Sequence, residues 1–338
     1  MRKLLKSIAK FLKICLAGIV ALAVLTGFCL MCFCTGVRVP NESDATDFRW
    51  PANQWRSNML EGFSWFKMDE NGFNNIDTEH DTAPDVLFMG SSHMEATYIS
   101  QSEHLAQLVQ NSTSLDVYNI GTSGHTLYSN AKNIDEAVRE YDPQQYVVIE
   151  TSTVDMSIDD MKSVIDETYA DIESSDNSVL YLLQKYVPPL KTIYKNIGDW
   201  IDADKAVATT TQAPDETDDS YSQVLTDFLK KTAQPVKDNG AQLIIFNHPR
   251  VLIDENGDFY TDADDEKTKL FAQSAKDAGV IFIDMTDYFK ALYENEHKLP
   301  RGFVNTAVGG SHLNADGHRL IAQAITEVIM EGKLYGIE

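Results

Sequence analysis

The chain has 338 residues, enough for one large domain or two ordinary ones. Its 43% apolar and 23% charged residues exclude wholesale disorder and a many-spanning membrane protein. Lys plus Arg number 28 against 51 Asp plus Glu, a net charge of −23, and such a surface repels phosphate, which excludes nucleic acid as a partner.

The charge is uneven along the chain. Residues 1–13 carry Arg2, Lys3, Lys6, Lys10 and Lys13 and no acid, so the remainder holds 23 basic and 51 acidic residues, a net of −28. Ile14 to Cys34 follows as 21 uncharged residues. A helix of that length covers roughly the 30 Å of a bilayer core. It is too long for the apolar part of an ordinary signal peptide and ends without a small-x-small cleavage site. The residues before Cys29, Cys32 and Cys34 do not fit a lipoprotein. The expectation is an uncleaved signal anchor over 14–34, a cytoplasmic basic tip over 1–13, and a cell-membrane protein with its globular part outside. All four cysteines lie in this segment, so residues 35–338 have no disulfide, no cysteine nucleophile and no cysteine metal ligand.

Residues 35–83 are rich in Asn, Asp, Glu and Trp, lack a clear period, and read as a stalk and lead-in. From Pro84 the texture changes. Apolar runs at 85–89, 115–119, 145–150, 242–246 and 280–284 read as buried strands. Helical patterns fall near 101–110, 127–140, 157–170, 221–239, 264–277 and 315–331. Strands alternating with helices imply a parallel sheet covered on both faces. An insertion over about 171–220 interrupts the pattern: 178–203 reads as helical around Pro188-Pro189, and 209–222 as a polar, acidic, flexible loop. The globular domain is therefore placed at 84–338.

Three motifs follow strands, where an open α/β sheet binds ligands. The first strand ends in Gly90-Ser91-Ser92-His93. A Gly there permits a tight turn, and a Ser can present both its hydroxyl and its backbone N–H. The plain alternative is a strand-to-helix turn with a Ser cap. The second strand ends in Asn119-Ile120-Gly121-Thr122-Ser123-Gly124-His125, a G-x-x-G spacing that lacks the start of a dinucleotide fingerprint. The last motif is Gly309-Gly310-Ser311-His312-Leu313-Asn314-Ala315-Asp316-Gly317-His318. A neutral imidazole there could take the proton of a Ser nucleophile. No local spacing of His, Asp and Glu matches a zinc site, so no metal and no cofactor is expected.

In this order and placement the three motifs resemble the blocks of the SGNH (GDSL-like) hydrolase superfamily, in its Gly-Ser-Ser-His variant. The resemblance covers about 84–332 without the insertion. It implies a flavodoxin-like three-layer α/β/α sandwich with a central parallel sheet. It implies Ser92 as nucleophile, His312 as base, and the N–H groups of Ser92 and Gly124 as an oxyanion hole. Two positions depart from the family pattern: the closing-block acid falls on Gly309, and the third-block Asn falls on Val154. Thr151, Ser152 and Asn247 are substitute donors, and His93, Asn119, His125 and His248 are further candidates to line the rim. A Gly309→Asp change is expected to restore an orienting acid. Membrane-anchored relatives act on acyl groups of cell-envelope polymers, which implies an esterase or O-acyltransferase on an envelope glycan, with a membrane acyl-donor protein as a further partner. The competing expectation is a non-catalytic envelope-binding or scaffold protein of the same fold.

The anchor expectation has a direct test. Protease added to intact cells should digest the globular part while residues 14–34 stay membrane-bound. Protection of that part, or a mature N-terminus near residue 36, contradicts it.

Overall fold

The computed structural model describes residues 2–32, 39–40, 48–58, 61–76, 83–168, 218–254 and 256–331. The helical stretch expected over 178–203 lies outside these residues, as does most of the acidic loop. The end of that loop is helical instead: Asp218 to Ser222 open a long helix.

The chain begins with α1 (Arg2–Cys32), one continuous helix through both the basic tip and the apolar run. Its segment Lys6–Phe28 is long and apolar enough to cross a membrane. Short strands β1 (Val39–Pro40) and β2 (Phe48–Arg49) pair antiparallel. A hairpin follows, β3 (Trp55–Asn58) with β4 (Ser64–Lys67). The main sheet is built from β5 (Val86–Met89), β6 (Val117–Asn119), β7 (Tyr146–Thr151), β8 (Gln242–Asn247) and β11 (Ile281–Asp284). Between β8 and β11 lies a second hairpin, β9 (Val251–Ile253) with β10 (Phe259–Thr261). The helices are α2 (Ser92–Glu95), α3 (Leu105–Thr113), α4 (Leu127–Tyr141), α5 (Ile158–Ile165), α6 (Asp218–Asp238), α7 (Asp265–Ala278), α8 (Thr286–Glu296) and α9 (Ala315–Glu331).

The sheet order is β11-β8-β7-β5-β6, and every pairing is parallel. By chain order of its strands this is the flavodoxin-like arrangement, whose order reverses between β5 and β7. The strand pleat sorts the core into two layers. Leu87, Met89, Val147, Ile149, Leu243 and Ile245 face one way, into a cluster with side chains of α4, α5, α6 and α7. Val86, Phe88, Val148, Ile244 and Phe246 face the other, against α3, α8 and α9. Both faces are apolar because both are covered, which is why these strands read as continuous apolar runs. The result is an α/β/α sandwich.

The boundary drawn at residue 84 leaves out residues that pack on this sandwich. The β3–β4 hairpin buries Arg56, Asn58, Ser64 and Phe66. Ser64 Oγ donates to Thr97 O at 2.6 Å, and the Arg56 guanidinium lies 3.6 Å over the Trp50 ring. Asp69 is buried as an acceptor, taking bonds from Phe73 N (2.8 Å), Tyr118 Oη (2.9 Å) and Asn75 Nδ2 (2.8 Å). Asn75 in turn holds the end of β6, through Asn119 N and O, both at 3.0 Å. A segment without period thus reaches the rim by side-chain hydrogen bonds together with the buried side chains of Phe66, Met68 and Phe73.

Four histidines, His93, His104, His248 and His318, are held below the ordinary imidazole value, chiefly by burial. For His104 the value is lowered to about 4. Its Nε2–H donates to Met94 O at 2.6 Å and its Nδ1 accepts from Ala106 N at 3.0 Å, which leaves no place for a second proton. With a depressed folded value, the unfolded chain takes up the proton first as the pH falls below about 6.5. Stability present at neutral pH is therefore lost on acidification, and the His104 share of the loss levels off near pH 4. Going from pH 7 to pH 5 should cost about 2 kcal/mol through His104 alone, read as a lower Tm. A Tm that is flat or rises over this range contradicts the assignment.

Candidate functional site

β5 delivers the turn that carries Gly90-Ser91-Ser92-His93. Its last residues lead through Gly90 into α2, where Ser91 caps the helix by accepting from His93 N at 3.2 Å and Ser92 is the first helical residue. A Cβ on Gly90 would lie 2.7 Å from Glu150 Cβ and 2.4 Å from Met94 Cγ, so only glycine lets the turn pass between β7 and α2. The last motif sits in the loop before α9. Ser311 there holds a left-handed φ of 76°, and Asn314 Nδ2 ties the loop to Leu299 O at 2.8 Å.

These two turns meet. Ser92 Oγ lies 2.8 Å from His312 Nε2, across 220 residues of sequence. His312 Nδ1 lies 2.6 Å from Glu61 Oε2. Glu61 comes from the connection between β3 and β4, in the segment read from sequence as stalk and lead-in. The tautomer follows from the partners: Nδ1–H donates to the Glu61 carboxylate, and Nε2 is free to accept the Ser92 hydroxyl proton. Ser311 Oγ also donates to Glu61 Oε2. Burial raises the Glu61 carboxyl, but the bonds from His312 and Ser311 outweigh it and hold the group below its ordinary value. Tyr98 stacks on the imidazole with ring centroids 3.9 Å apart. Both Glu61 and His312 keep partial exposure, so the pair is open to a ligand.

The closing-block acid is thus supplied from elsewhere, and Gly309 cannot take its place. Gly309 has a φ of +65°, and a Cβ there would meet Val251 O at 3.1 Å. The expectation that Gly309→Asp restores an orienting group is overturned: the substitution strains the loop, and the position beside Nδ1 is already filled by Glu61.

The other candidates divide. Gly124 is exposed, and among the described residues neither its N–H nor that of Ser92 has an acceptor. Ser123, next to it, donates to Glu95 of α2, and Glu95 also accepts from Trp50 Nε1 at 2.6 Å, so the second motif is braced by the N-terminal segment. His125, Thr151 and Ser152 line a cavity of ≈ 210 Å³ beside Ser91 and Glu150. The Thr151 hydroxyl is committed to Thr153 O at 2.6 Å. Asn247 does not face the rim: it is buried and donates to Asp284 at 3.2 Å. Asn119 lies buried beneath the site, where Oδ1 accepts from Gly121 N at 2.9 Å and Nδ2 donates to Met94 O at 2.9 Å. Val154 belongs to the hydrophobic core and offers no donor.

His248 is also buried rather than at the rim, as the centre of a polar chain that sequence reasoning missed. Arg301 Nη2 donates to His248 Nδ1 at 2.6 Å, and His248 Nε2–H donates to Glu150 Oε1 at 2.5 Å. Glu150 Oε2 accepts from Ser91 N at 2.5 Å. Burial raises the Glu150 carboxyl, but His248 and Ser91 together hold it below the ordinary value. Burial lowers the Arg301 guanidinium to about 10, still charged at neutral pH. A buried cation and anion are thereby linked through a neutral imidazole. The Arg301 end also reaches Ser311 O at 3.4 Å, and its backbone bridges Leu313, so one chain ties the His312 loop to the Ser92 turn. His93 packs between His248 and His312, at 4.6 and 4.8 Å between ring centroids, with Nδ1 accepting from Leu313 N at 3.2 Å. Among the described residues no cluster of three or more His, Cys, Asp or Glu is arranged to hold a metal ion.

No family model and no curated protein matches the chain. Solved structures similar to it are SGNH and GDSL-type hydrolases, esterases and lipases. An acetyl xylan esterase, AlAXEase, is 15% identical, covers 72% of this chain and 99% of its own, and has a TM-score of 0.41. A GDSL-like lipase from Bacteroides thetaiotaomicron is 16% identical, covers 73% of this chain and 88% of its own, and has a TM-score of 0.34. The fold itself rests on the strand order and register given above.

Proposed function

We propose that the protein is a serine-dependent ester hydrolase or O-acyltransferase of the SGNH type, anchored in the cell membrane and acting outside it on acyl groups of an envelope glycan or related polymer. The observation that carries the reading is the continuous relay Ser92–His312–Glu61, with bonds of 2.8 and 2.6 Å and a consistent tautomer. Two features favour a non-catalytic scaffold, the missing acid at Gly309 and Val154 in the third block; Glu61 beside His312 Nδ1 answers the first.

The chemistry follows from the geometry. Ser92 Oγ attacks the ester carbonyl carbon while its proton passes to His312 Nε2. The imidazolium so formed keeps its Nδ1–H on Glu61, whose carboxylate stabilises the charge. The carbonyl oxygen, now an oxyanion, takes the N–H groups of Ser92 and Gly124. Collapse breaks the bond to the leaving alkoxide, which takes the proton from Nε2 and departs as an alcohol. The acyl group stays on Ser92. Water or a sugar hydroxyl then enters, losing its proton to His312 in turn, and this choice separates hydrolysis from transfer.

Reaction with a serine-directed fluorophosphonate and turnover of an aryl acetate test the reading. Wild-type protein should be labelled once per chain, and Ser92→Ala should not be labelled. Glu61→Gln places an amide N–H₂ or a weaker acceptor opposite Nδ1, which disturbs the tautomer. It should lower kcat by roughly 10²–10⁴-fold with little change in KM. Labelling that survives Ser92→Ala, or a Glu61→Gln enzyme of wild-type activity, contradicts the proposal.

A further inference from the structure

The β3–β4 hairpin turns one face to the domain and the other to solvent. Arg56, Ser64 and Phe66 are on the buried face. On the outer face are Trp55 (62% exposed), Phe63 (65%) and Trp65 (60%), with Phe63 just before β4. The register pairs Trp55 with Lys67 and Ser57 with Trp65, so the two indoles are diagonal neighbours, 5.7 Å between centroids. The apolar surface continues past the hairpin tip. Gly62 N donates to Asn305 Oδ1 at 2.9 Å, which sets the tip against the loop carrying Val304 and Val308, both almost wholly exposed. Three large aromatics on one face of a hairpin of two four-residue strands are not needed for the core, which the opposite face already joins.

We propose that this face beds into the polar–apolar interface of the bilayer that holds α1, and so fixes the site at the membrane surface. The occupant is the lipid of the chain's own membrane, and the inference rests on the reading of α1 as an anchor. Three observations select it. First, α1 lies against β3, which puts this hairpin next to the helix proposed to cross the bilayer. Second, only 22 residues separate Cys32 from Trp55, a tether of at most about 80 Å, and residues 39–40 and 48–49 spend part of it in an antiparallel pair. Third, the chemistry fits. Indole rings with an apolar body and a polar N–H concentrate at the headgroup level, and a Lys beside them can reach phosphate. The chain beyond residue 13 carries a net charge of −28 and is repelled by anionic lipid, whereas the face proposed to dock presents Trp55, Phe63, Trp65, Val304 and Val308 beside a single cation, Lys67, the cross-strand partner of Trp55.

Docking here has a consequence for the site. Glu61 lies in the connection between the two docked strands, so docking sets the relay close to the membrane surface. The acyl group is then taken from, or given to, a molecule presented at the membrane surface.

The test uses the full chain in nanodiscs of phosphatidylcholine, with acyl chains either dibrominated or unbrominated. Bromine quenches indole emission on contact. Emission should fall by on the order of half in brominated discs, since Trp55 and Trp65 are two of the four tryptophans. A Trp55→Ser, Trp65→Ser double variant should insert with an unchanged Tm and give equal emission in both lipids. Insertion of the wild type with equal emission in the two lipids overturns the docking alone, and so does quenching that persists in the double variant. A dimer that shields the two indoles gives the same absence of quenching and also overturns it. A chain that fails to enter the discs overturns the anchor reading, and the docking with it. None of these outcomes bears on the Ser92 relay, which fluorophosphonate labelling reports separately.

Discussion

The contact between His312 Nδ1 and Glu61 Oε2 is the constraint on which the site depends. An imidazole on a loop has two tautomers and a free ring rotation. Only one state presents a bare Nε2 to Ser92. A carboxylate at 2.6 Å selects that state and stabilises the cation formed when the proton moves. Because Glu61 precedes the sheet in sequence, the contact exists only if the N-terminal segment folds onto the domain. The bonds that achieve this are specific: Ser64 to Thr97, Gly62 to Asn305, Trp50 to Glu95, and the Asp69–Asn75 cluster on β6. The segment that leads away from α1 is therefore also part of the site.

The second brace is the buried chain Arg301–His248–Glu150–Ser91. Placing a cation and an anion in the interior is costly unless each finds partners of good geometry. Here the neutral imidazole between them donates to one and accepts from the other, and the carboxylate spends its second oxygen on the Ser91 amide. The charges are satisfied by the two turns to which the proposed chemistry is assigned. Arg301 holds the His312 loop and Glu150 holds the Ser92 turn, so their separation is set inside the protein. Gly90 is required because its turn must pass within contact of Glu150.

Much of this was legible in the sequence. The five sheet strands are buried on both faces, so they stand out as apolar runs, and their alternation with amphipathic helices fixes the sandwich. Ser92 and His312 were legible because each follows a strand and precedes a helix in a motif with its own composition. Glu61 was not. It sits between two four-residue strands in a segment where the buried side chains of Phe66, Met68 and Phe73 are interleaved with hydrogen-bonded polar residues, so that no hydrophobic period shows. The only trace was the alternation in Trp55-Arg56-Ser57-Asn58 and Ser64-Trp65-Phe66-Lys67 on either side of Glu61-Gly62, a weak hairpin signature. Glu150 was hidden differently, as the polar end of an apolar strand. Thr286–Glu296 escaped because a single buried stripe of Phe289 and Leu292 is too short to declare a period.

The central claim is that Glu61 orients His312, and proton NMR of the imidazole reads it most directly. In the wild-type protein the His312 Nδ1–H should give a strongly downfield resonance, identified by its loss in His312→Ala. The account predicts that Glu61→Gln removes it or moves it far upfield while the rest of the spectrum stays folded. A downfield His312 proton that persists unchanged in Glu61→Gln, or that is absent from the wild type, would contradict the account.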